Sequence, residues 1–357
     1  MKVERNEFVN AIETIQHFLG RTTDYTYRYV TIDPRADKTV FFGFDGNMFC
    51  WYVLDKKADI PTVHLDLDSA AAIAKACTTA EIELEYRDKY MIMNSGKRKS
   101  RLKVHTDAES YDLNIPNMIN VKASTDDFLL AADIGSLASP KDGSDEIGII
   151  VTATNGKVTF ISAKDTIITS ASINASIKEE IGIIMPYHSV RHMLKTLKRS
   201  TVKSNRIIIR SDKEHVFMDC GFTGFVVPRL KTKGLNKEIA KRMNAVIKKP
   251  KVFVNVKGPE LSKAVESAAK MERDAHGSSI LLSDGTLKLI TANSVYDSVY
   301  EITEFPEDFR CKLKAADLKS FIKRTISENY SIGTTDDSVW IMPTDKIGSM
   351  LIAKEIQ

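Results

Sequence analysis

A pattern that occurs three times along 357 residues restricts this chain more than any single motif, because a recurring segment must fold into a recurring structural unit. Met1–Leu19, Ile119–Leu137 (INVKASTDDFLLAADIGSL) and Val252–Met271 (VFVNVKGPELSKAVESAAKM) each read as a short strand running into an amphipathic helix. In the first helix Phe8, Ile12, Ile15 and Leu19 recur at helical spacing and form one apolar stripe. Asp126 and Pro259 stand where a helix start favours an acid or a proline. Phe8 and Phe128 are equivalent, 120 residues apart. After each helix two alternating strands are expected, joined by a tight turn. The turns are Asp45-Gly46, Asn155-Gly156 and Asp284-Gly285, pairs suited to a type I′ turn with positive φ at both central residues. One is expected at the matching place in every copy.

A second strand–helix–hairpin unit closes each copy. These units begin at Val63–Cys77 (VHLDLDSAAAIAKAC), Ile183–Ser200 (IIMPYHSVRHMLKTLKRS) and Cys311–Ile326 (CKLKAADLKSFIKRTI). The fold class is therefore α+β: three tandem similar domains of antiparallel sheets with two helices each, over residues 1–115, 116–235 and 236–357. A long basic connector occupies about 228–250. Sheets covered by helices on one face keep free edges, and pseudo-symmetric domains with compatible edges can close into a ring by head-to-tail contacts.

Composition agrees with this organisation. The length suits two or three domains of about 100–150 residues. With 43% hydrophobic and 27% charged residues, large-scale disorder is not expected. No apolar run approaches the roughly 18–20 residues that span a bilayer, and Met1-Lys2-Val3-Glu4-Arg5 lacks the apolar stretch of a signal peptide. Cys50, Cys77, Cys220 and Cys311 lie far apart without a CxxC pair, which suits reduced, buried thiols in a cytoplasmic protein. A net charge of +4 permits a nucleic-acid partner without demanding one.

With these features in place, the sequence resembles the bacterial-type DNA sliding clamp, the beta subunit of the replicative DNA polymerase, and more loosely its bacteriophage relatives. The local matches are LGRTTDYTY (Leu19–Tyr27), similar to the family's Arg-containing turn after the first helix, and MIMNSGKRKSRLKV (Met91–Val104), similar to the hairpin closing its first domain. The resemblance implies the DNA clamp fold, a head-to-tail homodimeric ring of six domains and twelve helices lining a central channel. It also implies sequence-independent binding of double-stranded DNA, loading by a clamp loader complex, and tethering of the replicative DNA polymerase as a processivity factor in DNA replication. No catalysis, cofactor or metal is implied. The setting is the bacterial cytoplasm and nucleoid, or the host cytoplasm for a phage-encoded protein. The alternative is a DNA-binding replication accessory protein of repeated α+β domains that forms no closed ring.

The residues that would hold DNA can be read from helix faces. In His188–Arg199, Val190, Met193, Leu194 and Leu197 share one face, while His188, Arg191, His192, Lys195, Lys198 and Arg199 lie largely on the other. In Asp317–Ile326, Leu318, Phe321, Ile322 and Thr325 face inward, and Lys319, Lys323 and Arg324 project away. Lys75, Lys263 and Lys270 add to this set, with Arg21 in a turn nearby. A diffuse positive lining attracts phosphates without reading bases; the bland reading of each face is solvation alone. Lys97-Arg98-Lys99-Ser100-Arg101 is either a phosphate contact at a hairpin tip or a solvated turn, and Lys231, Lys233, Lys237, Lys241, Lys248 and Lys249 of the connector are expected on the outer surface.

The resemblance also implies an apolar pocket for partner peptides between the second and third domains. By position, Thr166 and Ile168 fall on its strand and Leu351 and Ala353 on its terminal segment. Ile168 and Leu351 read equally well as core residues. The family's Thr-Asp-Gly-His-Arg-Leu run is AKDTII (Ala163–Ile168) here, and its Met-Pro-Met-Arg-like ending is AKEIQ (Ala353–Gln357), so a different specificity is expected. Enzyme readings find little. Gly96-Lys97 lacks P-loop spacing, His188 and His192 have no accompanying glutamate motif, and Asp142, Ser144, Asp145 and Glu146 read as a solvated acidic loop.

Overall fold

The computed structural model describes residues 1–20, 28–105, 115–139, 148–164, 166–200, 204–230, 244, 246, 248, 250, 252–274, 279–283, 286–292, 297–304, 309–312 and 314–353. One order of elements recurs three times. The first copy runs β1 (Lys2–Glu4), α1 (Arg5–Leu19), β2 (Tyr29–Pro34), β3 (Thr39–Phe44), β4 (Phe49–Leu54), β5 (Val63–Asp66), α2 (Leu67–Ala76), β6 (Glu81–Arg87), β7 (Tyr90–Ser95) and β8 (Arg98–His105). The second runs β9 (Val121–Ser124), α3 (Thr125–Gly135), β10 (Ile149–Thr154), β11 (Lys157–Lys164), β12 (Ile167–Ile177), β13 (Ile181–Met185), α4 (Tyr187–Arg199), β14 (Arg206–Ser211), β15 (His215–Asp219) and β16 (Thr223–Pro228). The third runs β17 (Val252–Lys257), α5 (Gly258–Asp274), β18 (Ser279–Ser283), β19 (Thr286–Ala292), β20 (Asp297–Glu304), β21 (Phe309–Lys312), α6 (Ala315–Thr325), β22 (Asn329–Thr334), β23 (Ser338–Pro343) and β24 (Ser349–Ala353).

The helix stripes are buried as their spacing requires. Phe8, Ile12, Ile15 and Leu19 of α1 are all buried. Phe8 meets Phe41 of β3 edge-to-face at 5.8 Å, and Phe128 of α3 meets Phe160 of β11 the same way at 4.9 Å. The equivalence of Phe8 and Phe128 therefore extends to their partners. Asp126 and Pro259 lie in the first turns of α3 and α5.

Two expectations fail in detail. Three strands, not two, lie between the first helix of each copy and the strand that opens its second strand–helix unit. The turn pairs also occupy different places: Asn155-Gly156 joins the first two of these strands, whereas Asp45-Gly46 joins the second and third. Only the former has the type I′ signature, with φ of 51° at Asn155 and 72° at Gly156. Asp45 instead caps a longer loop, its Oδ1 accepting from the backbone N–H groups of Asn47 (2.9 Å) and Met48 (2.7 Å). Asp284-Gly285 lies outside the described residues.

The chain forms two compact units, Met1–Asp126 with His188–Arg229, and Asp127–Tyr187 with Leu230–Gln357. The middle copy is shared between them because its outer strands join those of its neighbours. In the first unit β16 pairs antiparallel with β4, placing Phe225 opposite Cys50 and Val226 opposite Phe49. In the second, β24 pairs antiparallel with β12, placing Leu351 opposite Ile168. Trp51 lies flat against β16 at Gly224, where a Cβ would fall 2.0 Å from the indole; only glycine permits that approach. A further four-stranded sheet in the second unit runs β20-β19-β18-β21. Among the described residues no helix is long and apolar enough to cross a membrane.

Candidate nucleic-acid interface

Helix α4 separates its two chemistries cleanly. Ser189, Val190, Met193, Leu194, Thr196 and Leu197 are buried, while His188, Lys195, Lys198 and Arg199 are exposed and Arg191 is half-buried. With two basic residues in its last turn, the helix also places positive charge where the backbone dipole favours it. The apolar face anchors the helix and leaves its basic residues on the outer face, which is the arrangement an electrostatic surface for phosphates requires.

His192 departs from that reading. Its Nδ1 lies 3.3 Å from Asp45 Oδ2, and its ring packs against Phe18 of α1 at 5.2 Å. Burial alone would raise the Asp45 carboxyl. Hydrogen bonds from His192 and from the Met48 and Asn47 backbone outweigh it, so the group titrates below the ordinary carboxylate range. His192 thus ties α4 to the β3–β4 loop and contributes nothing free to the basic face. Nearby, His17 of α1 titrates below the usual imidazole range, first through burial and then through the Arg199 charge, with Glu13 opposing.

The other cations fall on several helices. Lys75 of α2 is exposed but lies 3.8 Å from Glu13 of α1, with Gln16 Oε1 3.4 Å away, so its charge is shared with the outward glutamate of the first helix. On α5, Leu261, Val265, Ala268 and Ala269 are buried, and Lys263 and Lys270 are exposed beside Glu260 and Glu266. On α6 the expected inward residues Leu318, Phe321, Ile322 and Thr325 are all buried; Lys323 is exposed and Lys319 half-buried. Arg324 does not project away as expected: its Nε lies 3.3 Å from Asp133 of α3, a nearly buried carboxylate that the spacing of either helix alone gives no reason to pair with it. Arg21 lies outside the described residues, as do Lys231, Lys233, Lys237, Lys241 and Lys249. Lys248 bridges to Asp337 at 2.9 Å. At the first-copy hairpin, Arg98 donates to the Ala76 carbonyl at 3.1 Å, and the Arg101 guanidinium stacks 3.5 Å over the Tyr90 ring.

The four residues assigned to a peptide pocket are brought together in the second unit. Ile168 and Leu351 are cross-strand neighbours, and the Ala353 N–H donates to the Thr166 carbonyl at 2.9 Å. Leu351 is only 2% exposed and belongs to the core, whereas Ile168 is half-buried and Thr166 and Ala353 are exposed. Ile168 packs on a cluster of Ile150, Ile161 and Ile184, which Leu230 and Val246 of the connector also touch. The sequence reading missed this cluster. Its isoleucines lie one on each of β10, β11, β12 and β13, so the cluster forms across strands and no spacing along the chain signals it.

Among the described residues no group of three His, Cys, Asp or Glu side chains is placed to hold a metal ion, and the acidic loop containing Asp142, Ser144, Asp145 and Glu146 lies outside them. All four cysteines are buried, and burial pushes the Cys50 thiol well above its usual range.

No family model matches the sequence, and no curated protein matches it. Solved structures do match. The DNA polymerase III subunit beta of Pseudomonas aeruginosa superposes with a TM-score of 0.83 at 13% identity, covering 100% of both chains. The beta subunit of Thermotoga maritima gives 0.79 at 12% identity, covering 100% of this chain and 99% of its own. That of Streptococcus pyogenes gives 0.81 at 12% identity with the same coverage. The three copies of strand, helix and sheet, end to end, have the fold of the DNA polymerase III beta sliding clamps.

Proposed function

We propose that this chain is a DNA sliding clamp: a non-enzymatic ring of two copies that encircles duplex DNA and tethers a replicative polymerase. The observation that carries the reading is an unfinished pattern of strand pairing. β4, β12 and β20 are the equivalent third strands of the three copies, and β8, β16 and β24 the equivalent last strands. Inside the chain β4 takes β16 and β12 takes β24. Among the described residues one strand of each kind is left: β20, at the edge of its sheet, and β8, whose second edge meets β5 at Val104 and His105. A surface with one donor edge and one acceptor edge propagates head to tail, and closes when the accumulated rotation is complete. Two copies then supply six repeats, read as domains over 1–115, 116–235 and 236–357.

In that ring the exposed cations Lys195, Lys198 and Arg199, with Arg191, Lys75, Lys263, Lys319, Lys323 and Arg21, line the channel and hold duplex DNA irrespective of sequence. A clamp loader complex opens the ring in the cytoplasm. A fluorescently labelled protein of twice 39.9 kDa is expected to stay on circular DNA after loading and to leave when the circle is cut. Retention on the linear product would instead favour a non-ring DNA-binding accessory protein, and a strict monomer would remove the clamp reading.

Partner peptides dock over Ile168, with Thr166 and Ala353 at the rim and Leu351 supporting the floor. Ile168→Asp places a charge on the apolar cluster and is expected to weaken polymerase binding by at least about tenfold, as loss of an interface anchor does. Titration of the labelled variant with polymerase measures this, and unchanged affinity removes Ile168 from the docking surface.

A further inference from the structure

A cavity of about 1000 Å³ lies beside the β4–β16 join and is lined within the first unit. Buried Phe42 and Trp51 and half-buried Val40 and Val53 supply its apolar depth. Ile115 and Phe222, 40% and 41% exposed, stand at its mouth. Phe222 is held in place: its ring stacks on Tyr52 at 6.2 Å, and its carbonyl accepts from the Val53 N–H at 2.7 Å. Large apolar side chains fixed at the mouth of a cavity yet open to water mark a surface for a partner.

The internal repeat indicates the kind of occupant. Phe41 pairs with Tyr52 as Phe160 pairs with Ala171, so Phe42 and Phe49 stand at the positions of Ile161 and Ile168. Each couple belongs to the apolar cluster of its own join, and Phe49 meets Val226 where Ile168 meets Leu351. The joins differ at the next couple on that face. In the second unit Ser170 and Ser349 share a hydroxyl contact of 2.6 Å; in the first Trp51 and Gly224 hold those places. The first join therefore has an indole beside its cavity, the aromatic group most attractive to a cation. The charges of the lining agree. Arg35 is taken by Asp33 at 2.6 Å, and Asp219 by Arg210 at 3.6 Å. Two exposed acids, Asp37 and Asp55, then stand against one exposed base, Lys38, on a chain whose net charge is +4.

We propose that this cavity is a second docking site, taking an extended peptide with an aromatic or leucyl anchor flanked by a base. The site extends the docking reading of Ile168 to the first unit and does not need the ring. Phe42, Trp51, Val40 and Val53 receive the anchor, while Asp37 and Asp55 select the flanking charge.

Calorimetric titration of the full-length protein carrying Ile168→Asp, which removes the other docking surface, tests this with two octapeptides. Both contain one Leu-Phe pair, flanked by two lysines in one and by two glutamates in the other. The lysine peptide is expected to bind one site per chain with a dissociation constant below ~1 mM, and the glutamate peptide about fivefold more weakly. Adding Ile115→Ser and Phe222→Ser is expected to weaken the lysine peptide by at least about tenfold. Both side chains are exposed, so circular dichroism should not change. Asp37→Lys with Asp55→Lys is expected to make the glutamate peptide the tighter of the two. Absence of binding by either peptide up to ~1 mM overturns the proposal, as does an affinity indifferent to the serine pair or to the flanking charge. A serine variant whose sedimenting mass differs from its parent's also overturns it, since the face would then join copies of the chain. Undiminished polymerase binding by Ile168→Asp withdraws the surface over Ile168 and not this one, because the titration is made without it.

Discussion

Replacing Lys195 and Lys198 together by glutamate is expected to lower loading onto circular DNA by about 60-fold at ~0.1 M salt, because each phosphate contact contributes roughly 0.9 of a decade there. Both lysines are exposed on α4, on the side away from Val190, Met193, Leu194 and Leu197, which are buried. The substitutions therefore leave the packed face untouched, and the mass of the particle and its thermal unfolding should not change. The diagnostic measurement is the slope of log affinity against log salt, which should become shallower by nearly two. A slope equal to wild type would mean that this face of α4 meets solvent and not DNA.

Phe128→Ala is expected to destabilise the second unit by about 3–5 kcal/mol, the usual cost of deleting a fully buried aromatic side chain. Phe128 has no exposed surface and meets Phe160 edge-to-face, a contact whose removal leaves a cavity between α3 and β11. Phe8→Ala, which breaks the equivalent contact with Phe41, is expected to destabilise the first unit to a similar degree. Urea unfolding followed by circular dichroism checks both. A cost under about 1 kcal/mol at either position would show that the site relaxes around the loss, and that the aromatic pair is not the keystone of its helix–sheet contact.

The parts of this architecture legible in the sequence are those set by local periodicity. The buried stripe of α1, the two faces of α4 and the helix starts at Asp126 and Pro259 all follow from one residue's relation to its near neighbours. The third strand of the first copy, β4, lacks such periodicity. β4 reads FCWYVL, a continuous apolar run without alternation, because one face meets α1 and the other carries the cluster of Trp51, Phe42, Phe217 and Val226. Pairing of β4 with β16 links residues more than 170 positions apart, and no periodicity reports such a partner. The same holds for Asp45 with His192 and Asp133 with Arg324, where a charge that looked free is committed to a distant carboxylate. The turn at Asp45-Gly46 misled in another way: the dipeptide permits a type I′ hairpin without enforcing one, and here the Asp side chain closes a longer loop.

The flat approach of Trp51 to Gly224 has a spectroscopic consequence. The chain contains two tryptophans, and Trp340 lies on β23 directly opposite Leu351. Each compact unit therefore carries one natural fluorophore, placed at or beside the strand junction that holds it together. Replacing either indole by phenylalanine isolates the emission of the other, so the melting of each half of the polypeptide can be followed separately without an added dye.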